Sequence, residues 1–412
     1  MISDLDGLKE YFSKRDYSTY ERDNFDKFLK EMHFSFDKKS IHITGTNGKG
    51  STANFIRDIY LANGQKVGLF MSPFLFSPLE MISVDGIDIS LQDYLSILNR
   101  YGDRFAECRL SSFEIQTFIA FIYFADQNVD IAVVETGMGG YLDATNCFIP
   151  SLSIITTVSL EHTGYLGRTV SEIADSKSGI IKDDTPVLIG KLSEDAEYPI
   201  LLKTKRCDAP LYRVDDYHAE VLHDNRYYSF DYKPYKGLII NTPADYQLLN
   251  ACLAVEAVKI LMDVIYVSEG AIKTGLAMPT LPSRFEFFAP NIIIDGAHNP
   301  EAMDALMVAI QKVANGKAIR VLFAVFKDKN IDLMLTSLNR ETSEVVITTF
   351  DHKRARTEEN YFLYLDDYHF DSDFRHALKE YTTKYPDDII LVTGSLAFSN
   401  VVRQYLLSED KR

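Results

Sequence analysis

A short apolar run, KSIHIT at residues 39–44, leads directly into GTNGKGST at 45–52. This run, its glycine-rich turn and the helical stretch that follows constrain the fold more than any other feature. Glycines let main-chain N–H groups converge on phosphate oxygens, and a helix start adds positive potential there. Lys49 is placed to reach the outer phosphates. The spacing departs from G-x-x-x-x-G-K-[ST], because only two residues separate Gly45 from Gly48 and Gly50 follows the lysine. The plainer alternative is a glycine-rich βα turn that binds nothing.

The rest of the chain agrees with α/β architecture. Short apolar runs alternate with longer amphipathic ones, which is the pattern of βα units on a largely parallel sheet. Strands are expected at residues 39–44, 66–71, 130–135 and 152–158, and helices at about 51–61, 169–181 and 245–262. Between about 190 and 242 tyrosines alternate with charged residues, as in HDNRYYSFDYKPYKG, and short antiparallel strands on the surface are expected. MPTLPS at 278–283 has two prolines in six residues and reads as a linker. The βα alternation restarts after it, with strands expected at 291–294, 320–325, 344–349 and 388–393 and a helix from Pro300. A domain boundary is therefore expected near 281, giving domains 1–281 and 282–412.

Composition narrows the function classes. Lys and Arg total 43 against 59 Asp and Glu, a formal net charge of −16. Such a surface repels phosphate backbones and anionic membranes, yet leaves room for a local basic pocket. Cys108, Cys147, Cys207 and Cys252 are far apart and form no C-x-x-C pair, which points to a reducing compartment. The N-terminal MISDLDGLKEYFSKRDYSTY is polar and acidic, unlike a signal peptide. No run approaches the ~18 apolar residues of a membrane span. The expectation is a soluble, cytoplasmic protein acting on small molecules, without nucleic acid or membrane, and a monomer.

Other residues carry chemistry by position. Glu135 ends the DIAVVE run, where a carboxylate would face the crevice in which parallel sheets bind ligands. Oxygen donors beside a nucleotide suit Mg²⁺, although an acid at a strand end is more often simply solvated. His162 and Lys177 do not stand out by themselves, and a lone lysine near the middle of a helix such as TVSEIADSKSGII reads as part of a solvated face. Asp295 ends IIID and could hydrogen-bond a ribose hydroxyl or hold an amine. Asn299 and Pro300 also read as a helix cap and a first-turn proline. Arg284 follows the linker and could reach a phosphate.

Together these segments resemble the Mur ligase superfamily and, within it, the folylpolyglutamate synthase / dihydrofolate synthase family. The resemblance runs from about residue 39 to the C-terminus. It rests on ITGTNGKGST, SPFL at 72–75, FEIQTFIAF at 113–121, ETGMGGYLDATN at 135–146, EHTGYLG at 161–167, SKSGIIK at 176–182, PSRFE at 282–286, DGAHNP at 295–300 and TGSL at 393–396. It implies an N-terminal P-loop ATPase domain with a small attached sheet, a C-terminal Rossmann-like α/β domain, and ATP bound between them. Thr46, Asn47, Gly48, Lys49, Gly50 and Ser51 would cradle the phosphates, with Asn250, Arg284 and Asp295 as further ATP contacts. Ser72, Glu135 and His162 would match the family's Mg²⁺ ligands at two sites, and Lys177 a lysine that the family carbamylates into an anionic ligand. Residues 111–118 and Leu142-Asp143-Ala144 match the pterin-binding region. His298 and Ser395 fall on the glutamate side of the reaction centre.

The implied reaction is an ATP-dependent amide ligation. A carboxylate of folate or dihydropteroate attacks the γ-phosphate to give an acyl phosphate and ADP, and the amine of L-glutamate then displaces phosphate. A Mur-type ligase for another carboxylate, or a nucleotide-binding regulatory protein without ligase activity, is the alternative. Phe74, Met81, Tyr141, Glu161 and Ser283 stand where the family commonly has His, Arg, Arg, Asp and Gly. The usual segment near the pterin pocket is not found before residue 39. These departures cluster on the folate side.

Overall fold

The computed structural model describes residues 2–13, 22–74, 77–222 and 226–409. Leu75 of the SPFL segment and residues 14–20 of the polar N-terminal stretch lie outside them. Contacts divide the chain into a first unit, Met1–Tyr217 with Leu249–Leu276, and a second, His218–Leu248 with Ala277–Arg412.

The first unit is built on eight strands: β1 (Lys39–Thr44), β2 (Val67–Phe70), β3 (Ile82–Val84), β4 (Ile87–Asp88), β5 (Ile131–Glu135), β6 (Leu152–Ile155), β7 (Val187–Ile189) and β8 (Leu211–Arg213). Their order is β4-β3-β2-β5-β1-β6-β7-β8. Pairings from β2 to β8 are parallel, and the β2–β3 and β3–β4 pairings are antiparallel. β2, β5, β6 and β7 are buried along their whole length, as expected of a parallel sheet covered on both faces. β1 lies between β5 and β6, and a crevice is expected at the carboxyl end of such a switch strand.

The helices of this unit are α1 (Leu5–Ser13), α2 (Arg22–Glu31), α3 (Lys49–Ala62), α4 (Leu91–Glu107), α5 (Ser112–Asp126), α6 (Val170–Ser178), α7 (Glu194–Arg206), most of α8 (Asp245–Ile260), and α9 (Glu269–Leu276). α5 is apolar nearly all round and correspondingly buried. Phe118 on it packs edge-on to Phe28 of α2 at 4.9 Å and to Tyr101 of α4 at 5.0 Å. Burying each such ring stabilises by about 1.5–3 kcal/mol. Ser111 and Glu114 close a reciprocal cap at the start of α5.

One expectation fails in this region. Residues 190–217 contain α7 and the parallel strand β8, and antiparallel pairing is confined to β9 (His218–Leu222), β10 (Tyr227–Tyr232) and β11 (Tyr235–Ile240). Pro199 inside α7 reads as a helix breaker. The helix forms regardless. Its first turn carries Glu194, Asp195 and Glu197, its last turn carries Lys203, Lys205 and Arg206, and Ala196 and Ile200 are buried.

The second unit holds that three-stranded sheet and a six-stranded one. The latter comprises β12 (Glu286–Ala289), β13 (Ile292–Ile294), β14 (Ile319–Phe323), β15 (Glu344–Thr348), β16 (His369–Asp371) and β17 (Ile389–Thr393), in the order β12-β13-β17-β14-β15-β16. All are parallel except β12. Side chains alternate between two cores. Ile293, Val321, Phe323, Ile347 and Leu391 enter one, while Ile292, Ile294, Leu322, Val346 and Val392 enter the other. α10 (Pro300–Ala314), α11 (Asp332–Glu341), α12 (Phe374–Lys384) and α13 (Leu396–Glu409) complete the unit. Tyr228 of β10 and Lys312 of α10 both bond Asp245, the Lys312 Nζ–Oδ1 distance being 2.7 Å. This polar cluster ties the three-stranded sheet to its unit. No helix among the described residues is long and apolar enough to cross a membrane.

Candidate active site

The loop 45–48 leaves β1 and enters α3, whose first residue is Lys49. It is held in shape from the neighbouring strand end. Thr46 N–H donates to Thr157 O at 2.8 Å, and Asn47 N–H donates to Thr157 Oγ1 at 2.9 Å. Thr156 Oγ1 donates to Asn47 O at 2.6 Å, and Ser159 N–H donates to Thr46 Oγ1 at 3.1 Å. Gly48 has φ +86°, and a Cβ there would stand 2.3 Å from Asn250 Oδ1. Only glycine fits both constraints. The buried Asn250 therefore backs the loop, and Thr52 of the first helical turn reaches it at 3.5 Å. Lys49 Nζ donates to Gly45 O at 3.0 Å and to Thr46 O at 3.2 Å, so the ammonium is folded over the loop. Gly50 and the buried Ser51 follow it in the first turn of α3.

Glu135 is buried at the carboxyl end of β5, beside β1, and accepts Ser72 N–H at 3.3 Å. The segment after it packs against α6. Tyr141 N–H donates to Ser176 O at 2.9 Å, and a Cβ on Gly140 would meet Lys177 O at 2.5 Å. Asp143 braces this segment, accepting Met138 N–H at 2.8 Å and Thr145 N–H at 3.0 Å. Burial raises its carboxyl pKa despite those bonds. Arg22 bonds the carbonyls of Asp143 and Asn146.

Lys177 is buried, contrary to its reading as a surface helix residue. Burial pushes its amine down to about 7, and the positive charge of Lys49 adds to the effect, while Glu161 and Asp143 oppose it. His162 lies on an exposed turn with φ +51°, its Nε2 3.9 Å from a Glu161 carboxylate oxygen. The structure thus joins Ser72 to Glu135, and brings Lys177 within electrostatic reach of Lys49. No group of three His, Cys, Asp or Glu side chains that could hold a metal occurs among the described residues. Sequence reading passed over Thr156 and Thr157, although threonines directly after a buried strand beside the loop were a usable signal. It also passed over Thr136 and Ser159, which follow β5 and β6 and whose buried hydroxyls find no partner among the described residues.

In the second unit Asp295 directly follows β13 and is buried. Tyr246 OH donates to it at 2.9 Å, Phe285 N–H at 2.8 Å and Ala297 N–H at 2.8 Å. Burial raises its pKa, and the nearby Arg284 guanidinium pulls the other way. Asn299 caps α10 by accepting Ala302 N–H at 2.9 Å, with Pro300 in the first turn. His298 Nδ1 lies 2.9 Å from Gly296 O, and Ser395 Oγ accepts Phe398 N–H at 3.1 Å. Asp295 thus organises the turn that carries His298. Replacing Asp295 with alanine should strand two buried main-chain donors and the half-buried Tyr246 hydroxyl, and lower stability by about 3 kcal/mol. Urea unfolding checks this, and an unchanged midpoint would refute it.

The succession of two such α/β units is repeated in known proteins. Residues 43–258 match the Mur ligase middle domain, and residues 283–396 match the Mur ligase glutamate ligase domain. The dihydrofolate synthase/folylpolyglutamate synthase of Bacillus subtilis is 32% identical over 389 residues, covering 89% of this chain and 90% of its own length. The folylpolyglutamate synthase of Lacticaseibacillus casei is 32% identical over 384 residues, with the same coverages. The Mycobacterium tuberculosis folylpolyglutamate synthase, solved with ADP and AMPPCP, superposes with a TM-score of 0.89 at 28% identity, covering 97% of this chain and 98% of its own. Similarity of this extent across both units, with the loop and the DGAHNP turn in place, means that the chain belongs to the folylpolyglutamate synthase / dihydrofolate synthase family of the Mur ligase superfamily.

Proposed function

We propose that this chain uses ATP to join L-glutamate to the carboxylate of a folate, releasing ADP and phosphate. The observation that carries the reading is the phosphate loop, shaped by Thr156, Thr157 and Asn250 with Lys49 folded over it. A relative's structure described as an AMPPCP–folate complex, with a TM-score of 0.86 at 28% identity, supports the substrate pair. Dihydropteroate is proposed as a second acceptor, because the Bacillus subtilis relative bears both enzyme names.

In this reading the main-chain N–H groups of Gly48 and Lys49 and the Lys49 ammonium orient the phosphates, on a loop held by the bonds of Thr46 and Asn47 to Thr157, while a folate carboxylate attacks the γ-phosphorus. Gly50 and Ser51 continue the cradle into α3, and Asn250 backs it. Phosphoryl transfer depends on such positioning and charge neutralisation rather than on covalent help from the protein. The resulting acyl phosphate is attacked by the glutamate amine, and phosphate leaves. Arg284 and Asp295 are proposed as ATP contacts, and His298 and Ser395 as residues on the glutamate side, on the resemblance alone.

Mg²⁺, when bound, neutralises the phosphate charge that builds during transfer. Ser72, Glu135, His162 and a carbamylated Lys177 are the residues proposed to hold it, at two sites. The oxygen donors of Ser72 and the buried Glu135 suit a hard cation. An ammonium at Lys177 could not ligate, whereas its carbamate could. We place the functional boundary at 281, with a glutamate-ligase domain at 282–412, and read the protein as a cytoplasmic monomer that acts without nucleic acid or membrane.

ADP release measured with tetrahydrofolate, dihydropteroate or a muramyl substrate, each with and without glutamate, tests the reading. Glutamate-dependent release with tetrahydrofolate is expected. Release with the muramyl substrate alone, or with none of the three, would overturn it.

A further inference from the structure

His42, in the middle of β1, is a fully buried imidazole that takes no part in the phosphate loop itself. Burial, and after it the charge of Lys182, pushes its pKa down to about 3, so the ring is neutral and carries one N–H. Its Nε2 lies 2.8 Å from Thr145 Oγ1, which in turn lies 2.5 Å from Asp143 Oδ1. Asp143 Oδ1 also accepts Thr145 N–H, and Oδ2 accepts Met138 N–H, so both carboxyl oxygens face donors. The threonine proton therefore points at Asp143, and the threonine oxygen is left to accept the imidazole N–H. That fixes the tautomer by elimination, with hydrogen on Nε2 and a lone pair on Nδ1. One chain of donors runs from His42 through Thr145 to Asp143.

Packing alone does not account for an imidazole here. The Nδ1 atom is buried and has no hydrogen-bond partner among the described residues, which costs free energy. A leucine would fill the space beside the Phe148 ring, 5.0 Å away, without stranding a nitrogen. What the imidazole adds is one directed bond, and the recipient is the 136–146 segment.

The same strand face makes a second tie to that segment. Thr44 is two residues further along β1, hence on the same side, and its hydroxyl donates to Gly139 O. β1 thus holds the segment at Gly139 and again at 143–145, and at Thr44 it runs directly into the phosphate loop. The turn is divided in its exposure. Tyr141 and Leu142 stand out to solvent, while Asp143, Ala144 and Thr145 are buried against the strand. By the resemblance Leu142, Asp143 and Ala144 match the pterin-binding region. The loop for the nucleotide and the turn for the acceptor are therefore both referenced to one strand. Attack of a carboxylate on phosphorus is sensitive to displacements of about 1 Å, so that shared reference bears on the rate.

We infer that His42, acting through Thr145 and Asp143, is a positioning residue that sets the acceptor turn 141–144 relative to the phosphate loop. The inference rests on the function proposed above. ADP release with tetrahydrofolate and L-glutamate is compared among wild type, His42→Leu, Thr145→Val and the double variant. KM for tetrahydrofolate should rise about tenfold in each single variant, the scale of one lost buried hydrogen bond, while KM for ATP stays within twofold. The double variant should be little worse than either single one, because both substitutions cut the same chain. Thr145→Ser keeps the hydroxyl and should recover most of the loss. In wild type carrying isotope-labelled histidine, nuclear magnetic resonance at pH 7 should find one neutral ring with its proton on Nε2, and His42→Gln should remove that signal. This wild-type measurement and the two Thr145 variants carry the test even where His42→Leu does not fold. Equal rises in both KM values, a lowered melting temperature with both KM values unchanged, or a proton on Nδ1 would overturn the inference. Failure of the wild-type enzyme to ligate tetrahydrofolate would instead refute the underlying function.

Discussion

Alanine in place of Lys49 is expected to lower glutamate-dependent ADP release at least ~10²-fold, the usual loss when a preorganised donor to developing charge is removed. The side chain contributes little to the core. It leaves the first turn of α3 and bonds only loop carbonyls, Gly45 O and Thr46 O. These are part-buried bonds, whose loss costs about 1 kcal/mol each at most. The loop itself keeps its supports in Thr156, Thr157 and Asn250. The variant should therefore melt close to wild type while failing in turnover. A turnover assay paired with thermal unfolding checks both halves. Near wild-type ADP release would remove the phosphate-loop assignment, and a collapsed melting temperature would show that Lys49 acts through folding.

The α/β class was legible because both sheets are buried on their two faces. Continuous apolar runs such as IAVVE and IILVT leave little doubt about the strand, and β1 occupies residues 39–44 as read. The region after 190 was not legible. Pro199 hid α7, and no local signal says that LYR at 211–213 pairs parallel to β7. In the site, residues whose role is set by chain neighbours were found, as with the glycines of the loop and the Asn299 cap. Residues whose role depends on distant partners were missed. Thr157 holds Asn47 from 110 positions away, and Asp143 and Arg22 meet across 121. Lys177 was misjudged as exposed for the same reason. The segment packed against its helix, where Gly140 approaches the Lys177 carbonyl and Tyr141 N–H donates to Ser176 O, is distant in sequence, and helix periodicity alone cannot register it.

That burial makes Lys177 the subject of the second large effect. Its amine is pushed down to about 7 in the folded chain, against an ordinary 10.5 when unfolded. Between those values the unfolded chain binds a proton that the folded chain does not. Stability should therefore rise with pH across this window, by up to about 1.4 kcal/mol per pH unit, and lose this dependence below pH 7. Methionine at 177 keeps the bulk and removes the charge. In protein stripped of metal and CO₂, Lys177→Met should be more stable than wild type at pH 7, and the advantage should shrink toward pH 10. The same depression supplies the neutral amine that reaction with CO₂ requires. Lys177→Ala should accordingly cripple acyl phosphate formation by ~10²-fold or more while nucleotide affinity changes little. A short carboxylic acid that fills the vacated space should restore part of the activity, as bicarbonate alone should not. Intact-mass measurement at neutral pH should find the added CO₂ on this side chain. A pH-independent stability difference would refute the buried neutral amine. Full activity of the alanine variant, with no added mass on the wild-type lysine, would leave Lys177 a packed helix residue and nothing more.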